Sequence, residues 1–237
     1  MAAASEDAAA FLDLLSTACA AGRAPGAECL LRVFDATLRM LHVRGYTDIS
    51  TPLGGVDRHA APQLAATRLA ECAALAQPVA AAPAAAALGR PRVVVLFHTS
   101  PKVGIRVVRA IEDAYGGEVV VCVVSLDGPT PCTKKGNGEP TPAGGRRIQY
   151  LTYAQVLRDP SSHCMVPKHR RLDAAERGAA EARYNIAQDA DWPKIPTKDP
   201  VCRFYDFTPG DLLEIERVGL VSCGDQRYYR LVVASPA

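Results

Sequence analysis

Histidine and cysteine gather once in this chain, at His163, Cys164 and His169. Imidazole and thiolate are zinc ligands, and a structural zinc takes four of them from paired spacings. No second pair lies nearby. The run is therefore read as histidines that hydrogen-bond around the Val166-Pro167 turn, and no residue is assigned to a metal. Carboxylates offer a second chemistry. Phosphodiester cleavage needs several of them around Mg²⁺, usually with a lysine alongside. The two β-branched runs that could carry such a site hold only Glu118 and, just past the second run, Asp127, with no Glu-x-Lys or Asp-x-Lys following. Gly136-Asn137-Gly138 lacks the strand–glycine–helix setting of a phosphate loop, and neither a serine nucleophile elbow nor a kinase set is present. These residue types give no catalytic residue and no cofactor site.

Positive charge is the chemistry that remains. Lys102, Arg106 and Arg109 stand at i, i+4 and i+7 of a helix expected over 102–115. Aligned, sequence-indifferent charge of this kind neutralises phosphates, so the three are candidate DNA contacts. Pairing of Arg109 with Glu112 or Asp113 on an exposed face is the alternative. Arg32, Arg39 and Arg44 lie off the apolar face of another expected helix, over 27–45. They read as its solvated side or as a contact with a partner or phosphate. The segment 128–147 is rich in Gly and Pro and carries Lys134, Lys135, Arg146 and Arg147. It is long for a compact domain and reads as either a mobile connection or a binding loop.

The elements that must position these residues follow from periodicity. Helices are expected over 5–20, 27–45 and 60–76. In the second, Leu30, Leu31, Phe34, Leu38 and Leu41 recur at three and four, and Gly45 stops it. The Ala/Pro tract 78–91 reads as a mostly unstructured connection, because Pro78 and Pro83 interrupt its alanines. Arg92 to Phe97 and Glu118 to Leu126 are buried strands that flank the 102–115 helix, a βαβ unit with parallel strands. Tyr150 to Leu157 is a short strand or helix. Asp159-Pro160-Ser161-Ser162 marks a boundary. Beyond it, Asp173 caps a helix over 174–184, with Glu176 completing a capping-box-like start. Asp199-Pro200 opens a turn, and 211–218 and 227–233 form an antiparallel strand pair.

Composition agrees with a folded chain of this kind. Its 237 residues are 49% hydrophobic and 22% charged, with a net charge of +2, so any DNA contact has to come from a local patch. No apolar run is long enough to cross a bilayer, and Met-Ala-Ala-Ala-Ser-Glu-Asp has no basic n-region of a signal peptide. Cysteines at 19, 29, 72, 122, 132, 164, 202 and 223 form no Cys-x-x-Cys and read as reduced thiols of an intracellular protein.

Several stretches carry a resemblance. Asp199-Pro200-Val201-Cys202-Arg203-Phe204-Tyr205, the Gly-led strand 210–217 and the closing Tyr229-Arg230-Leu231-Val232 resemble the end of the fifth, shared subunit of eukaryotic DNA-dependent RNA polymerases. That family includes an archaeal counterpart consisting of essentially this end alone. His163-Cys164-Met165-Val166-Pro167-Lys168-His169 is similar to the family's His-x-Leu-Val-Pro-x-His. Ala182-Arg183-Tyr184 and Trp192-Pro193-Lys194-Ile195 stand where it has Ala-Arg-Tyr and a Leu-Pro-Arg-Ile-like segment. Met40-Leu41-His42-Val43-Arg44-Gly45-Tyr46 and Pro101-Lys102-Val103-Gly104 fit its Met-Leu-x-x-Arg-Gly-Tyr and Pro-Lys-Val-Gly. The Ala/Pro tract departs from the family, which has strand-forming sequence there.

The resemblance implies an α/β protein, α+β overall. An extension at 1–25 precedes a restriction-endonuclease-like jaw domain at 26–159, and a C-terminal assembly domain follows at 160–237. It implies a non-catalytic, nuclear polymerase subunit that docks on the largest subunit among the others and leans toward downstream duplex DNA. A large-DNA-virus member would work in the virion or the host transcription compartment. No membrane and no homo-oligomer are implied, and the His163–His169 motif is not a metal site. Docking is expected to use Pro167, Asp199, Pro200, Val201, Arg203, Tyr229 and Arg230. Arg203 is the expected anchor, because arginine presents a rigid fork of donors; a salt bridge inside the domain is its alternative. A divergent Mg²⁺-dependent endonuclease and a free transcription adaptor are the rival readings.

Overall fold

Two runs of valine, Arg92–His98 (β3) and Val119–Ser125 (β5), lie side by side and parallel, with Val94 opposite Val121 and Phe97 opposite Val124. Val93 to Phe97 and Val120 to Val124 are buried, as continuous β-branched runs require. The computed structural model describes residues 27–50, 79–83, 92–98, 102–114, 119–136, 148–217 and 226–235. The helices expected over 5–20 and 60–76 lie outside them. The chain divides into two units, Met1–Arg158 and Asp159–Ala237, and mixes helices and strands as an α+β protein.

In the first unit the sheet order is β1-β2-β3-β5-β7. Tyr46–Ser50 (β1) and Val79–Pro83 (β2) add an antiparallel edge, and Ile148–Thr152 (β7) pairs parallel to β5. Within the Ala/Pro tract expected to be mostly unstructured, Val79–Pro83 form strand β2, and residues 84–91 lie outside the described residues. Pro78 precedes the strand and Pro83 is its last residue, opposite Tyr46 where the β1 register shifts. The prolines therefore delimit the strand rather than interrupt it, and a missing N–H is tolerated at such a position.

Helix α1 (Ala27–Val43) buries Val33, Phe34, Met40 and Leu41, with Phe34 against Phe97 at 5.9 Å between ring centroids. Gly45 ends the helix region in the left-handed region at φ 89°, where a side chain would be strained. Arg32 and Arg39 lie off the buried face, as expected. Arg44 does not: it is only 4% exposed, and its Nη1 donates to Gln149 Oε1 on β7 at 3.0 Å. It follows the last helical residue, Val43, so the helical period no longer sets where its side chain points.

Between β3 and β5 the chain forms a two-residue strand, Lys102–Val103 (β4), and then helix α2 (Ile105–Ala114). Val108 and Ile111 pack with Val94, Leu96, Val103, Val121 and Val123. Strand β4 pairs parallel to Gly128–Pro129 (β6), which leads into the short helix α3 (Pro131–Gly136). Thr133 Oγ1 donates to the Val103 carbonyl at 3.1 Å and locks this corner. The start of the 128–147 segment is thus ordered secondary structure; residues 137–147 lie outside the described residues. The 150–157 stretch is strand and helix together. Thr152 ends β7 and caps α4 (Tyr153–Leu157) in a capping box with Gln155.

In the second unit the sheet order is β8-β10-β11-β9. Leu212–Arg217 (β10) and Gln226–Val233 (β11) are the expected antiparallel pair, with Leu213 opposite Arg230 and Ile215 opposite Tyr228. Lys168–Arg171 (β8) and Lys194–Pro196 (β9) flank them. Asp173 and Glu176 close the capping box of helix α5 (Ala174–Tyr184) at 2.8 and 3.0 Å. The turn expected at Asp199-Pro200 continues into helix α6 (Pro200–Tyr205), since aspartate at the cap and proline at the first position initiate a helix as readily as a turn.

Alternation on β10 and β11 splits the core in two. Leu212 and Leu231 face Ala180 of α5 and Trp192, while Leu213 and Val232 face Ile195, Val201, Cys202 and Phe207. Each face of the small sheet carries one of these cores, and side chains two residues apart share a face.

Candidate functional site

The basic residues of the first unit lie on two elements, not one. Arg106 and Arg109 are exposed on α2. Lys102 is exposed on β4, before the helix begins, because Lys102–Val103 pairs with β6 instead of starting the first turn. The single helical stripe is thereby corrected to an arginine pair and a separate lysine. Near Lys102, His98 Nε2 donates to the Lys102 carbonyl at 3.3 Å, and the Tyr153 hydroxyl donates to the His98 carbonyl at 3.3 Å. Burial lowers the His98 pKa, with the Lys102 carbonyl opposing it.

In the second unit the turn before β8 is built as expected. Met165 N–H donates to His163 Nδ1 at 3.2 Å, Val166 N–H to the His163 carbonyl at 3.0 Å, and His169 Nδ1 to the Pro167 carbonyl at 2.7 Å. Asp199 caps α6, its carboxylate accepting from Val201 N–H at 2.8 Å and its carbonyl from Arg203 N–H at 2.9 Å. Val201 is core, Pro200 is exposed and Arg203 is half-buried.

Strand alternation then sorts the remaining candidates onto opposite faces. Arg230 shares its face with Leu213, Tyr228, Arg217 and His169. Arg230 is exposed and donates from Nη1 to the Lys194 carbonyl at 3.4 Å. The Arg217 guanidinium lies 5.1 Å over the Tyr228 ring, a cation–π contact. The His169 pKa is lowered first by burial and then by Arg230 and Arg217, against the Pro167 carbonyl and Asp199. Pro167 thus bonds His169 directly, while Asp199 and Arg230 act on it through their charge.

Tyr229 points to the other face. Its ring lies 5.5 Å from Tyr184 and 6.0 Å from Trp192, and its hydroxyl donates to Glu214 Oε1 at 3.3 Å. Burial, followed by Glu214, raises its pKa. Glu214, only 4% exposed, was not singled out from the sequence. Arg170 donates to its Oε2 from Nη2 at 2.7 Å and from Nε at 3.3 Å, and Arg227 Nη1 lies 3.5 Å from its Oε1. Arg170 Nη1 also holds Glu176 at 2.6 and 2.8 Å. These hydrogen bonds raise the Arg170 pKa and lower that of Glu176. The signal was present but unread: Glu214 falls at an inward position of an apolar strand.

Among the described residues, no group of three or more His, Cys, Asp or Glu side chains is arranged to hold a metal ion. What the second unit presents is a small two-core sheet domain with exposed arginine and tyrosine side chains on one face, residue types enriched in protein interfaces. The family described as RNA polymerase Rpb5, C-terminal domain, matches residues 158–232. The subunit Rpo5 of DNA-directed RNA polymerase from Methanococcus maripaludis is 39% identical over 75 residues, 32% of this chain and 94% of the relative. The subunit RPABC1 of DNA-directed RNA polymerases I, II and III from Caenorhabditis elegans is 28% identical over 141 residues, 59% of this chain. That from Dictyostelium discoideum is 28% identical over 143 residues, covering 71% of the relative. The match spans 65% of the length of the nematode relative. The chain belongs to the family of this RNA polymerase subunit, Rpb5 in eukaryotes and Rpo5 in archaea.

Proposed function

We propose that the chain is a non-catalytic subunit of a multisubunit DNA-dependent RNA polymerase, acting in transcription within that complex. The observation that carries this is the 39% identity to an archaeal polymerase subunit over 94% of its length, beside the Rpb5 C-terminal domain match over residues 158–232. In this reading the second unit docks on the largest subunit through the face that holds His169, Arg230 and the start of α6. The first unit forms the lower jaw, with Arg106 and Arg109 toward the phosphates of downstream DNA. The protein acts in the nucleus, and the catalytic chemistry belongs to the partner. Its parallel strands β3 and β5 carry no carboxylate on either run, which speaks against the endonuclease reading.

The test is affinity purification of the tagged full chain from the cells that express it, with mass spectrometry of co-purifying chains. Stoichiometric recovery of the largest polymerase subunit is expected. Recovery of the chain alone, or with transcription factors but no polymerase core, overturns the reading in favour of a free adaptor.

A further inference from the structure

Beyond the cover of α6, one face of the second unit's sheet leaves a row of side chains facing outward. Register places Arg217, Tyr228, His169 and Arg230 there together. Tyr228 is 42% exposed, and both arginines are exposed. Among the described residues neither guanidinium meets a carboxylate; Arg230 reaches only the Lys194 carbonyl, and Arg217 lies on the Tyr228 ring. Among the described residues, Asp199 and Asp211 border this face and are engaged elsewhere. Asp199 caps Val201 N–H, and Asp211 takes Thr208 N–H and Arg171. The turn that packs on this face through Val166 also carries Met165, 70% exposed.

Exposed arginine, tyrosine and methionine around a half-buried imidazole make a surface with unused cationic donors and apolar anchors. Such residues are enriched where proteins meet proteins. A duplex would be met by a longer array of aligned charge than two guanidinium groups, and Asp199 and Asp211 would stand against its phosphates. Two guanidinium forks instead match carboxylates one for one, in bidentate geometry.

We propose that this face receives an acidic segment of a partner polymerase subunit, with Asp or Glu side chains seated on Arg217 and Arg230 and an apolar residue against Tyr228 and Met165. This rests on the polymerase reading above and specifies the chemistry of its docking surface.

Two sets of full-length variants test it. Arg217→Glu/Arg230→Glu reverses the charge; Arg217→Lys and Arg230→Lys keep the charge and supply an amine that a carbodiimide couples to an adjacent carboxylate. The charge reversal is expected to lower recovery of polymerase subunits about tenfold, with the loss growing less marked at high salt. The lysine variants are expected to recover polymerase and give a crosslink from position 217 or 230 to an Asp or Glu of a co-purifying subunit. If wild type recovers polymerase but the lysine variants give no such crosslink, or the reversal recovers polymerase undiminished, this proposal falls and the docking reading stands. Crosslinking does not depend on the reversed variant folding. A loss of recovery that nuclease treatment of the wild-type complex reproduces assigns the face to nucleic acid and also overturns the proposal. Failure of wild type to recover polymerase overturns the docking reading, and this inference with it.

Discussion

Arg170 reaches Glu214 at 2.7 Å from the neighbouring strand, with Tyr229 and Arg227 around the same carboxylate and Glu176 on the other side of the guanidinium. Glu214 is buried, so it cannot exchange a lost partner for water. Arg170 is half-exposed, and solvent screens part of its contribution. Arg170→Ala is expected to destabilise the second unit by about 1–3 kcal/mol, the cost of leaving a buried acceptor under-satisfied. Arg170→Lys recovers little of this, because an ammonium cannot fork between two carboxylates. Urea unfolding followed by fluorescence of Trp192, the chain's single tryptophan, measures it.

Trp192 itself is 4% exposed, and its indole N–H meets no acceptor among the described residues. The aromatic ring contributes through Tyr184 and Tyr229, while the orphan donor opposes burial. Trp192→Phe is therefore expected to cost under about 1 kcal/mol, and Trp192→Ala about 3–5 kcal/mol through the cavity it leaves. Circular dichroism of thermal unfolding compares them.

What was legible in the sequence tracks how local its cause is. The cap at Asp173, the turn at Val166-Pro167 and the strand pair 212–217 with 226–233 depend on residues a few positions apart, and local pattern fixes them. Strand β2 was missed because alanine has little strand preference; what makes it a strand is pairing to β1 and β3, which no local window contains. Lys102 was misplaced because its bridge to Gly128 is also long-range. The opposite orientations of Tyr229 and Arg230 followed from period-two alternation, and grouping them as one docking site overlooked it. Arg170 and Glu214 come from separate strands, and their ion pair follows only from register.

Placing Arg106 and Arg109 on one element and Lys102 on another separates their effects. In assembled polymerase, Arg106→Ala/Arg109→Ala is expected to weaken downstream DNA binding without sequence preference. It should flatten the dependence of log affinity on log salt by up to about one unit for each lost phosphate contact. Lys102→Ala, on a separate element, tests the lysine on its own. An unchanged slope in the double variant marks the α2 arginines as a solvated face.

Thiol chemistry separates surface from core. Cys132 and Cys164 are exposed, whereas Cys29, Cys122 and Cys202 are buried. Burial pushes the Cys202 thiol up to about 12, with Asp199 and Asp211 adding to it. Since the thiolate is the nucleophile, alkylation of the native protein at pH 8 is expected at Cys132 and Cys164 and not at Cys202. The sign for stability follows from the raised value. The folded protein holds this proton more tightly than the unfolded chain, so its contribution is intact below pH about 9 and declines toward pH about 12. Mass spectrometry of alkylated peptides, before and after urea, gives the first readout, and unfolding titrations at pH 8 and 10.5 give the second.

Among the described residues, the two cores of the second unit are built from its own side chains. Leu212 and Leu231 with Ala180 and Trp192 form one core, and Leu213 and Val232 with Ile195, Val201, Cys202 and Phe207 form the other; every one of these residues lies beyond Asp159. The caps at Asp173 and Asp199 and the Arg170–Glu214 pair are also internal. Residues 159–237 are therefore expected to fold alone, with a cooperative transition reported by Trp192. A unit this small has a marginal core, so its stability should be a few kcal/mol and should rise when a partner binds. Expressed with a tag, it is expected to recover polymerase where residues 1–158 do not. A non-cooperative melt of 159–237 would show that the two units stabilise each other, and recovery by 1–158 alone would move the docking function to the first unit.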